Sequence, residues 1–436
     1  MASTTSKTFG LWSGTGLVIA DMVGAGVFLS TGYMAQSLGP GTILLAWALG
    51  GALALCGAVA YAEVVRLVPR NGGEYRFLST FWHPALGSLA GWASVLVGTA
   101  APIAVDALAS DAFARRLVPG LPPLLVGAGL VVGLTAVHSA GLHSSARSQN
   151  FFVAVKVAFL LSFVAVGAAF GSWAWPTWQP PQSSDGFPLA AFASSFFYVA
   201  FAFSGWSAAV YVVEEFENPA RDLRRSLLLG TGAVTLLYLV LNFAFVANLT
   251  PEQGASVFKY ESDQVTLAHV VMQRLLGDGA ANIMSLMVLW LLVSAMSVMT
   301  LIGPRILAAM AGDGYLPTFF TAREGKPPVG ALILQGALSL LLVFTHELKD
   351  VLSNLGAVLV LFAALTTAGV VRAWFSPLPG MPKARPGPLA AALIYCGSAV
   401  FMLTMGIKNN PSLVKWLLVL VAVSFAGHLA RRRTHG

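Results

Sequence analysis

Two glycines one residue apart, Gly24 and Gly26, stand inside the first strongly apolar segment, LVIADMVGAGVFLST over residues 17–31. An acid, Asp21, precedes them by less than one helical turn. Glycine costs about 1 kcal/mol relative to alanine inside a helix, and a carboxylate at membrane depth costs about 3 kcal/mol. Residues this unfavourable predict a local break in the helix. The backbone N–H and C=O groups freed at such a break can bind a small polar molecule.

A second candidate break lies in a later apolar segment, in the stretch FAFSGW over residues 201–206. It falls at about the same depth in its segment as the first break does, and matched breaks are typical of membrane transport sites. The alternative is a close-packing surface, for which Gly-x-Gly is common in membrane helices. A nucleotide-binding loop is excluded, because no strand precedes the glycines and no βαβ unit follows.

A lysine at membrane depth is the third candidate. Lys156 stands in FFVAVKVAF, residues 151–159, and an intramembrane lysine indicates a functional site by default. The alternative is that its side chain reaches out to the membrane interface. Asp21 has three possible roles: an ion pair with Lys156, a protonatable group that couples transport to H⁺, or a cation-attracting group in a water-filled vestibule.

The other acids of the apolar segments are assigned structural or solvated positions. Glu63 is expected to pair with loop arginines, and Asp106 to be solvated near the outer end of its segment. Glu214 and Glu215, at the membrane surface after the second break, are expected to form ion pairs with arginines. No metal cluster or catalytic triad is found in the sequence, so we expect no enzyme activity, metal or cofactor.

Composition determines which elements must position these residues. Of 436 residues, 57% are hydrophobic and 10% are charged, whereas soluble domains carry about 25% charged residues. The mean hydropathy is +0.76. Apolar runs long enough to cross a bilayer as helices recur along the chain. They predict an all-α polytopic membrane protein with twelve spans, at residues 10–33, 40–66, 84–108, 120–139, 149–173, 189–212, 225–249, 279–311, 329–346, 351–373, 387–407 and 412–430.

Basic residues predict the orientation. With the N-terminus inside, 18 of the 25 lysines and arginines fall on the inner side and 7 on the outer side. Both termini are therefore expected in the cytoplasm. The first residues lack the features of a cleaved signal peptide, so the first span is expected to be retained. The net charge of +7 is explained by loops facing anionic lipid and requires no nucleic acid.

Several motifs together resemble the amino acid–polyamine–organocation superfamily, and most strongly bacterial relatives of the L-type amino acid transporters. They are MVGAGVF (22–28), PRNGGEYRFL (69–78), SARSQNFFVAVKVAFLL (145–161), FAFSGW (201–206), EEFENPARDLRRS (214–226) and GPRILAAMAGDGYLP (303–317). The resemblance implies one transporter domain over residues 1–436. Its first ten spans would form a five-plus-five inverted repeat, 10–173 and 189–373, with discontinuous first and sixth helices. Two further helices would occupy 387–430.

The resemblance also implies a substrate site at the two breaks. The α-carboxylate would meet the backbone N–H groups of Gly24, Ala25 and Gly26, at the dipole-positive start of a half-helix. The family usually has serine between these glycines, so Ala25 leaves the carboxylate more dependent on backbone donors.

The other end of the substrate has its own expected contacts. The α-ammonium would meet the carbonyls of Met22, Phe201, Ala202 and Ser204. The aromatic ring of Phe201 would also gate the site, and Trp206 would shape the side-chain pocket.

Two charged residues complete the implied site. Lys156 matches the lysine that replaces a sodium ion in sodium-independent members. A lysine buried there could also exchange a proton. Asp21 departs from the L-type pattern, in which this position is usually uncharged.

The predicted function is sodium-independent transport of small to medium neutral L-amino acids by alternating access, as an exchanger or a proton-coupled symporter. A transporter of cationic amino acids or polyamines is the alternative, particularly if Asp21 turns into the pocket, and a channel-like protein is a remote one. The expected partners are the amino acid, H⁺ if transport is proton-coupled, and the lipid bilayer of the bacterial inner membrane. No obligatory partner subunit is expected.

Overall fold

The computed structural model describes residues 10–141, 146–180, 186–249, 267–321, 327–346 and 348–409, with a few positions between 414 and 424. The regular elements in these ranges are helices, and no β-strand occurs among them. Helices that satisfy their backbone hydrogen bonds internally are what a bilayer requires of a spanning segment.

The first half of the chain forms eight helices. The third membrane segment runs through α5 and α6, which are joined by a π-helical turn at Leu96–Ala100. The helices are α1 Leu11–Met22, α2 Ala25–Met34, α3 Pro40–Leu67, α4 Gly73–Phe81, α5 Pro84–Val95, α6 Ala101–Leu117, α7 Leu125–Ser139 and α8 Ala146–Phe170.

The second half begins with α9, Leu189–Ala202, which continues into a 3₁₀ helix, Ser204–Glu215, and a π-helical turn, Pro219–Leu223. The remaining helices are α10 Arg224–Ala247, α11 Leu267–Leu276, α12 Asp278–Gly312, α13 Val329–Thr345, α14 Leu348–Phe375 and α15 Pro386–Asn409, with a short 3₁₀ turn at Thr318–Phe320.

Nine helical segments of the described residues are long and apolar enough to cross a membrane. Two shorter apolar helices, Leu125–Ser139 and Val329–Thr345, fall on the predicted fourth and ninth spans. The predicted last span, 412–430, lies almost entirely outside the described residues. The polytopic all-α class is therefore confirmed, while the number twelve and the inverted repeat remain predictions.

Both predicted helix breaks are present. α1 ends at Met22, Val23 has φ −84° and ψ 85°, and Gly24 is extended, with φ −128° and ψ −154°, before α2 begins at Ala25. In the second break, α9 ends at Ala202 and a 3₁₀ segment, Ser204–Glu215, follows; its backbone is kinked at Val212, where φ is −123° and ψ is 28°. Short 3₁₀ pieces of this kind often mark functional hinges.

The two breaks lie against each other. A β-carbon added at Gly26 would lie 2.6 Å from the Cα atom of Ala202, and one added at Gly205 would lie 2.4 Å from the backbone nitrogen of Met22. No side chain fits between backbones this close. Gly26 and Gly205 therefore allow the first and second breaks to cross.

The side of the fold that carries α4 is held by polar contacts. Arg76 of α4 pairs with Asp313 just after α12, and the hydroxyl of Tyr75 donates to the same carboxylate. Arg305 lies 3.1 Å from Glu215. The expected pairing of the acid after the second break is thus confirmed for Glu215, although its partner comes from α12.

Of two further acids, Glu63 has the kind of partner that the sequence indicated, whereas the expected arginine pair of Glu214 is not observed among the described residues. Glu63 pairs with Arg66 at 2.6 Å and accepts the backbone N–H of Arg385, as predicted for a structural partner of arginines. Glu214 instead exchanges hydrogen bonds with Asn71: its carboxylate accepts the Asn71 N–H, and its own N–H donates to the Asn71 side chain. These contacts join the loop after α3 to the end of the 3₁₀ helix.

Candidate binding site at the helix breaks

Lys156 lies at the first break. Its side chain is 0% exposed, and its Nζ donates to the carbonyl of Ala20 at 3.0 Å and to that of Val23 at 3.1 Å. These carbonyls belong to the dipole-negative end of α1, where a cation is favoured. The alternative in which this lysine reaches the membrane interface is therefore wrong. Its ammonium instead ties α8 to the broken end of α1.

Asp21 lies on the last turn of α1 but forms no direct ion pair with Lys156. Within the part of the chain that the structure describes, no carboxylate oxygen lies within 4.0 Å of the Lys156 ammonium. One carboxylate oxygen of Asp21 is buried without a hydrogen-bond partner. The same residue lines a cavity next to the breaks. The expected direct pairing is therefore not observed, and Asp21 turns toward the cavity.

The start of α2 carries an unexpected carboxylate. The Ala25 N–H donates to Oδ1 of Asp106 at 3.1 Å, and Asp106 is only 2% exposed. Oδ2 of Asp106 is buried without a hydrogen-bond partner. A β-carbon added at Gly24 would lie 3.6 Å from both oxygens of this carboxylate. The expectation that Asp106 is solvated is wrong, because the structure places it at the amide end of α2.

The carbonyl of Met22 is already occupied. It accepts the hydroxyl of Tyr238 at 2.6 Å and the N–H of Gly24 at 3.1 Å, and a carbonyl oxygen has two lone pairs. Tyr238 was not anticipated from the sequence, where it is one aromatic residue among many on an apolar helix. Its ring packs against Trp47 and Phe203, with centroids 5.4 Å and 5.2 Å away.

A cavity opens beside the breaks, between α1, α3, α5, the 3₁₀ helix, α12, α14 and α15. Three of the predicted site residues line it: Asp21, Ser204 and Trp206. The other predicted residues are buried in the crossing itself and do not line this cavity; they are Met22, Gly24, Ala25, Gly26, Phe201, Ala202 and Lys156. The aromatic side chains from the second break that line the cavity are Phe203 and Trp206, whereas Phe201, the predicted gate, does not line it.

Other helices supply most of the cavity wall. The third membrane segment contributes small and polar residues, α12 contributes two apolar ones, and α14 and α15 add further apolar and aromatic surface. The residues from the third segment and α12 are Ala93, Ser94, Val97, Gly98, Thr99, Met299 and Ile302. Single-sequence periodicity could not identify them, because these helices are apolar on most faces.

Trp206 forms part of this wall, as predicted. Its indole meets the ring of Tyr61 edge to face with centroids 4.5 Å apart, and the ring of Tyr395 lies 6.4 Å away. A β-carbon at Gly57 would lie 2.7 Å from the indole, so this glycine makes room for it. The indole is therefore fixed in orientation by α3 and α15.

A second acid reaches the cavity from α4. The carboxylate of Glu74 accepts hydrogen bonds from the Tyr61 hydroxyl and, at 3.3 Å, from the Ser94 hydroxyl. Burial raises the pKa of Glu74, and the two hydrogen bonds oppose the rise. The sequence motif PRNGGEYRFL contains this acid, but its spacing does not indicate that the side chain turns inward.

A metal site is not indicated, since the described residues hold no group of three or more histidine, cysteine, aspartate or glutamate side chains able to bind an ion. The functional groups at the breaks are instead helix-end amides and carbonyls, the buried ammonium of Lys156, the buried carboxylate of Asp106 and the half-buried carboxylate of Asp21. Apolar helices that break beside a cavity in this way are typical of membrane transporters.

Comparison with known proteins agrees with this class. Residues 9–426 match the family described as Amino acid permease. The chain belongs to this family, and its members move amino acids across membranes.

Individual relatives are similar at low identity over nearly the whole chain. The identity is 27% over 429 residues with the Rattus norvegicus large neutral amino acids transporter small subunit 2, covering 93% of this chain and 77% of that protein. It is 23% over 416 residues with the Mus musculus b(0,+)-type amino acid transporter 1, covering 93% and 84%. With the Homo sapiens cystine/glutamate transporter it is 24% over 418 residues, covering 92% and 80%.

Proposed function

We propose that this chain is a sodium-independent secondary transporter of small to medium neutral L-amino acids that works by alternating access. The observation that carries the proposal is the buried Lys156 ammonium, bonded to the carbonyls of Ala20 and Val23 at the first break. A tethered cation at this position holds the broken end of α1 together. The site then needs no dissolved sodium ion for that purpose.

The two breaks provide complementary ends for a zwitterion. The amides of Gly24, Ala25 and Gly26 lie at the dipole-positive start of α2, which favours a carboxylate. Since the Gly24 N–H donates to the Met22 carbonyl, we assign the substrate carboxylate mainly to the amides of Ala25 and Gly26. The carbonyls at the end of α9 favour an ammonium. Since the Met22 carbonyl already accepts two hydrogen bonds, we assign the substrate ammonium mainly to the carbonyls of Phe201, Ala202 and Ser204.

The cavity wall supports a neutral side chain. Trp206, Phe203, Met299 and Ile302 offer apolar surface beside the breaks, and apolar walls with a few polar groups are typical of small-molecule sites. The name of one relative, the large neutral amino acids transporter, agrees with this assignment.

Counterflow tests the proposal. The purified chain is reconstituted in liposomes loaded with one unlabelled amino acid, and uptake of labelled L-leucine, L-alanine, L-glutamate and L-arginine is followed. We expect leucine or alanine uptake to be stimulated by the same amino acid inside. Uptake that rises linearly with concentration and shows no trans-stimulation would instead indicate a channel.

A cationic amino acid or a polyamine is the second candidate substrate. Two carboxylates line the same cavity, those of Asp21 and Glu74, and one oxygen of Asp21 has no hydrogen-bond partner. Competition distinguishes the candidates. If L-lysine or putrescine suppresses leucine counterflow at concentrations at which L-alanine does not, the acids select a cationic side chain.

The expected setting is a bacterial inner membrane with both termini in the cytoplasm, and a chain active without a partner subunit. The excess of basic residues on one side supports the orientation. The name of one relative includes the words small subunit, which favours the contrary proposal that a partner subunit is needed. Counterflow by the single purified chain tests this directly, because a chain that needs a partner is inactive alone.

A further inference from the structure

Asp106 occupies the position that the proposed function assigns to the substrate carboxylate. Its Oδ1 accepts the Ala25 N–H at 3.1 Å, at the start of a ten-residue helix whose dipole attracts an anion. The carboxylate is 2% exposed, and its second oxygen is buried without a partner. A carboxylate held by a single hydrogen bond, with its other oxygen unsatisfied, is a poor permanent occupant of a buried site.

The charges around Asp106 do not balance in the substrate-free site. Asp106 interacts electrostatically with Lys156, Asp21 and Tyr238. The two carboxylates carry two negative charges when ionised, whereas Lys156 carries one positive charge. A zwitterionic amino acid adds one charge of each sign and leaves this excess unchanged. Its own carboxylate would then be a third anion near the start of α2.

In the part of the chain that the structure describes, the other charged groups on the elements packed around Asp106 have partners of their own or lie in end turns; Arg116, in the last turn of α6, contacts His269. α7 contributes His138, which bonds to Ser297. α13 carries no charged residue; on α12, Asp278 lies in the first turn and Arg305 pairs with Glu215, and on α14, Arg372 lies in the last turn. On α6 itself, Asp111 pairs with Arg115 at 3.0 Å.

We propose that Asp106 is a resident carboxylate that leaves the Ala25 amide when substrate binds and takes up one proton in the same step. The substrate carboxylate accepts the Ala25 N–H in its place. The proton comes from water, and the neutral carboxylic acid of Asp106 no longer repels the substrate carboxylate. One proton and one zwitterion thus enter the site together, so that the buried charge of the two acids and the lysine becomes zero. This inference rests on the proposed function, and it assigns Asp106 as the group that couples substrate binding to proton uptake.

The competing explanation is that Asp106 only caps α2. A cap stabilises the helix whether or not substrate is present, and it predicts no proton uptake on binding. The two explanations therefore differ in the number of protons exchanged, and loss of activity alone would not separate them.

The test is calorimetric titration of L-leucine or L-alanine into the purified protein, in two buffers with different enthalpies of ionisation. We expect about one proton to be taken up per amino acid bound, and the Kd to rise by up to about tenfold per pH unit as the pH increases. Asp106→Asn keeps an acceptor for the Ala25 amide but holds no proton. It should bind without proton uptake and with a Kd that is nearly independent of pH.

Asp21→Asn is the matched comparison, because it removes the other acid but leaves the Ala25 amide contact in place. Proton uptake should persist in Asp21→Asn, because the substrate carboxylate still displaces Asp106 from the Ala25 amide and the repulsion between these two carboxylates does not depend on Asp21. Loss of uptake in that variant and its retention in Asp106→Asn would overturn the assignment. Wild-type protein that binds leucine without taking up a proton would also overturn it, even if Asp106→Asn did not fold. Counterflow without proton uptake leaves the proposed function intact, whereas absence of counterflow with every amino acid removes both.

Discussion

At the scale of single residues, the site depends on a few charged groups held by backbone atoms. Lys156 makes its two hydrogen bonds to carbonyls that α1 cannot use itself, since the last carbonyls of a helix have no partner within it. A buried ammonium is costly unless its protons are accepted, so burial and the two bonds go together. This arrangement predicts that charge at residue 156 is required for transport.

Lys156→Met should lower leucine counterflow by about tenfold to a hundredfold, because hydrogen bonds from a charged group contribute about 1.5–3 kcal/mol. The methionine keeps the volume but provides no donor for the carbonyls of Ala20 and Val23. Lys408→Ala, at the exposed end of α15, is the matched control and should transport normally. Equal activity of Lys156→Met and wild type, at equal amounts of folded protein, would show that the ammonium has no role in the site.

Sequence reasoning identified part of this chemistry. Lys156 and the glycines could be recognised because they are unfavourable in an apolar helix. Asp106 is equally unfavourable, but it was assigned to the solvated end of a span ending at residue 108. α6 continues to Leu117, which buries Asp106 well inside the helix. Neither the π-helical turn before α6 nor the adjacent Arg115 and Arg116 near its end indicated, in the sequence, that this helix continues to Leu117.

At the scale of elements, the crossing of the two helix breaks is the central feature. Gly26 lies against Ala202, and Gly205 lies against the backbone of Asp21 and Met22. The extended backbone at Gly24 is accessible to any residue, so that glycine is not required for its conformation. The two glycines of GAG therefore have different roles. Gly26 is needed for steric reasons at the crossing, whereas Gly24 lies beside the carboxylate of Asp106.

Gly26→Ala should be strongly disruptive. The added methyl group would lie 2.6 Å from the Ala202 Cα atom, which belongs to the backbone and cannot rotate away. Overpacking of this kind costs about 1–3 kcal/mol, so both the thermal stability and leucine counterflow should fall.

Gly24→Ala is the matched control within the same motif. Its methyl group would meet its nearest neighbours at 3.6 Å, an ordinary van der Waals distance. The protein should therefore keep its stability, and any change should appear in substrate affinity. If Gly26→Ala is as stable and active as Gly24→Ala, the two breaks do not pack as closely as described.

The glycine-containing stretches were sufficient to predict where the helices break, since glycine acts locally. The crossing of the breaks depends on contacts between Gly26 and Ala202, which are far apart in the chain. The aromatic residue on the cavity also differed from expectation, because the turn after Ala202 directs Phe203 there. Such turns are decided by packing that a single sequence does not reveal.

At the scale of the whole molecule, polar contacts connect distant segments on the side of the fold that carries α4. Arg76 and Asp313 join α4 to the segment after α12, and Arg305 and Glu215 join α12 to the end of the 3₁₀ helix. Alternating access requires such segments to separate and rejoin. These ion pairs are therefore expected to affect the rate of transport more than the affinity for substrate.

A double-mutant cycle tests the coupling between Arg76 and Asp313. Each side chain is about three-tenths exposed, and partly exposed pairs contribute about 0.2–1 kcal/mol. Arg76→Ala and Asp313→Ala should each change the maximal counterflow rate by up to a few-fold. The double variant should change it by less than the product of the two. Independent, multiplicative effects would mean that the pair does not restrain the transport cycle.

Composition and hydropathy were enough to predict the polytopic helical class, because a bilayer permits few other structures. They were less informative about the number of spans. Residues 125–139 and 329–345 form helices shorter than a typical span, and the predicted last span falls outside the described residues. Helix length alone does not decide whether such segments cross the membrane.

The most direct test of the central claim is leucine or alanine counterflow with every sodium ion replaced by choline. Lys156 occupies the carbonyl end of α1 with its own ammonium, so we predict equal rates in sodium and in choline for the wild-type protein. A strict requirement for sodium would contradict the account, because it would place a dissolved cation where the structure has Lys156.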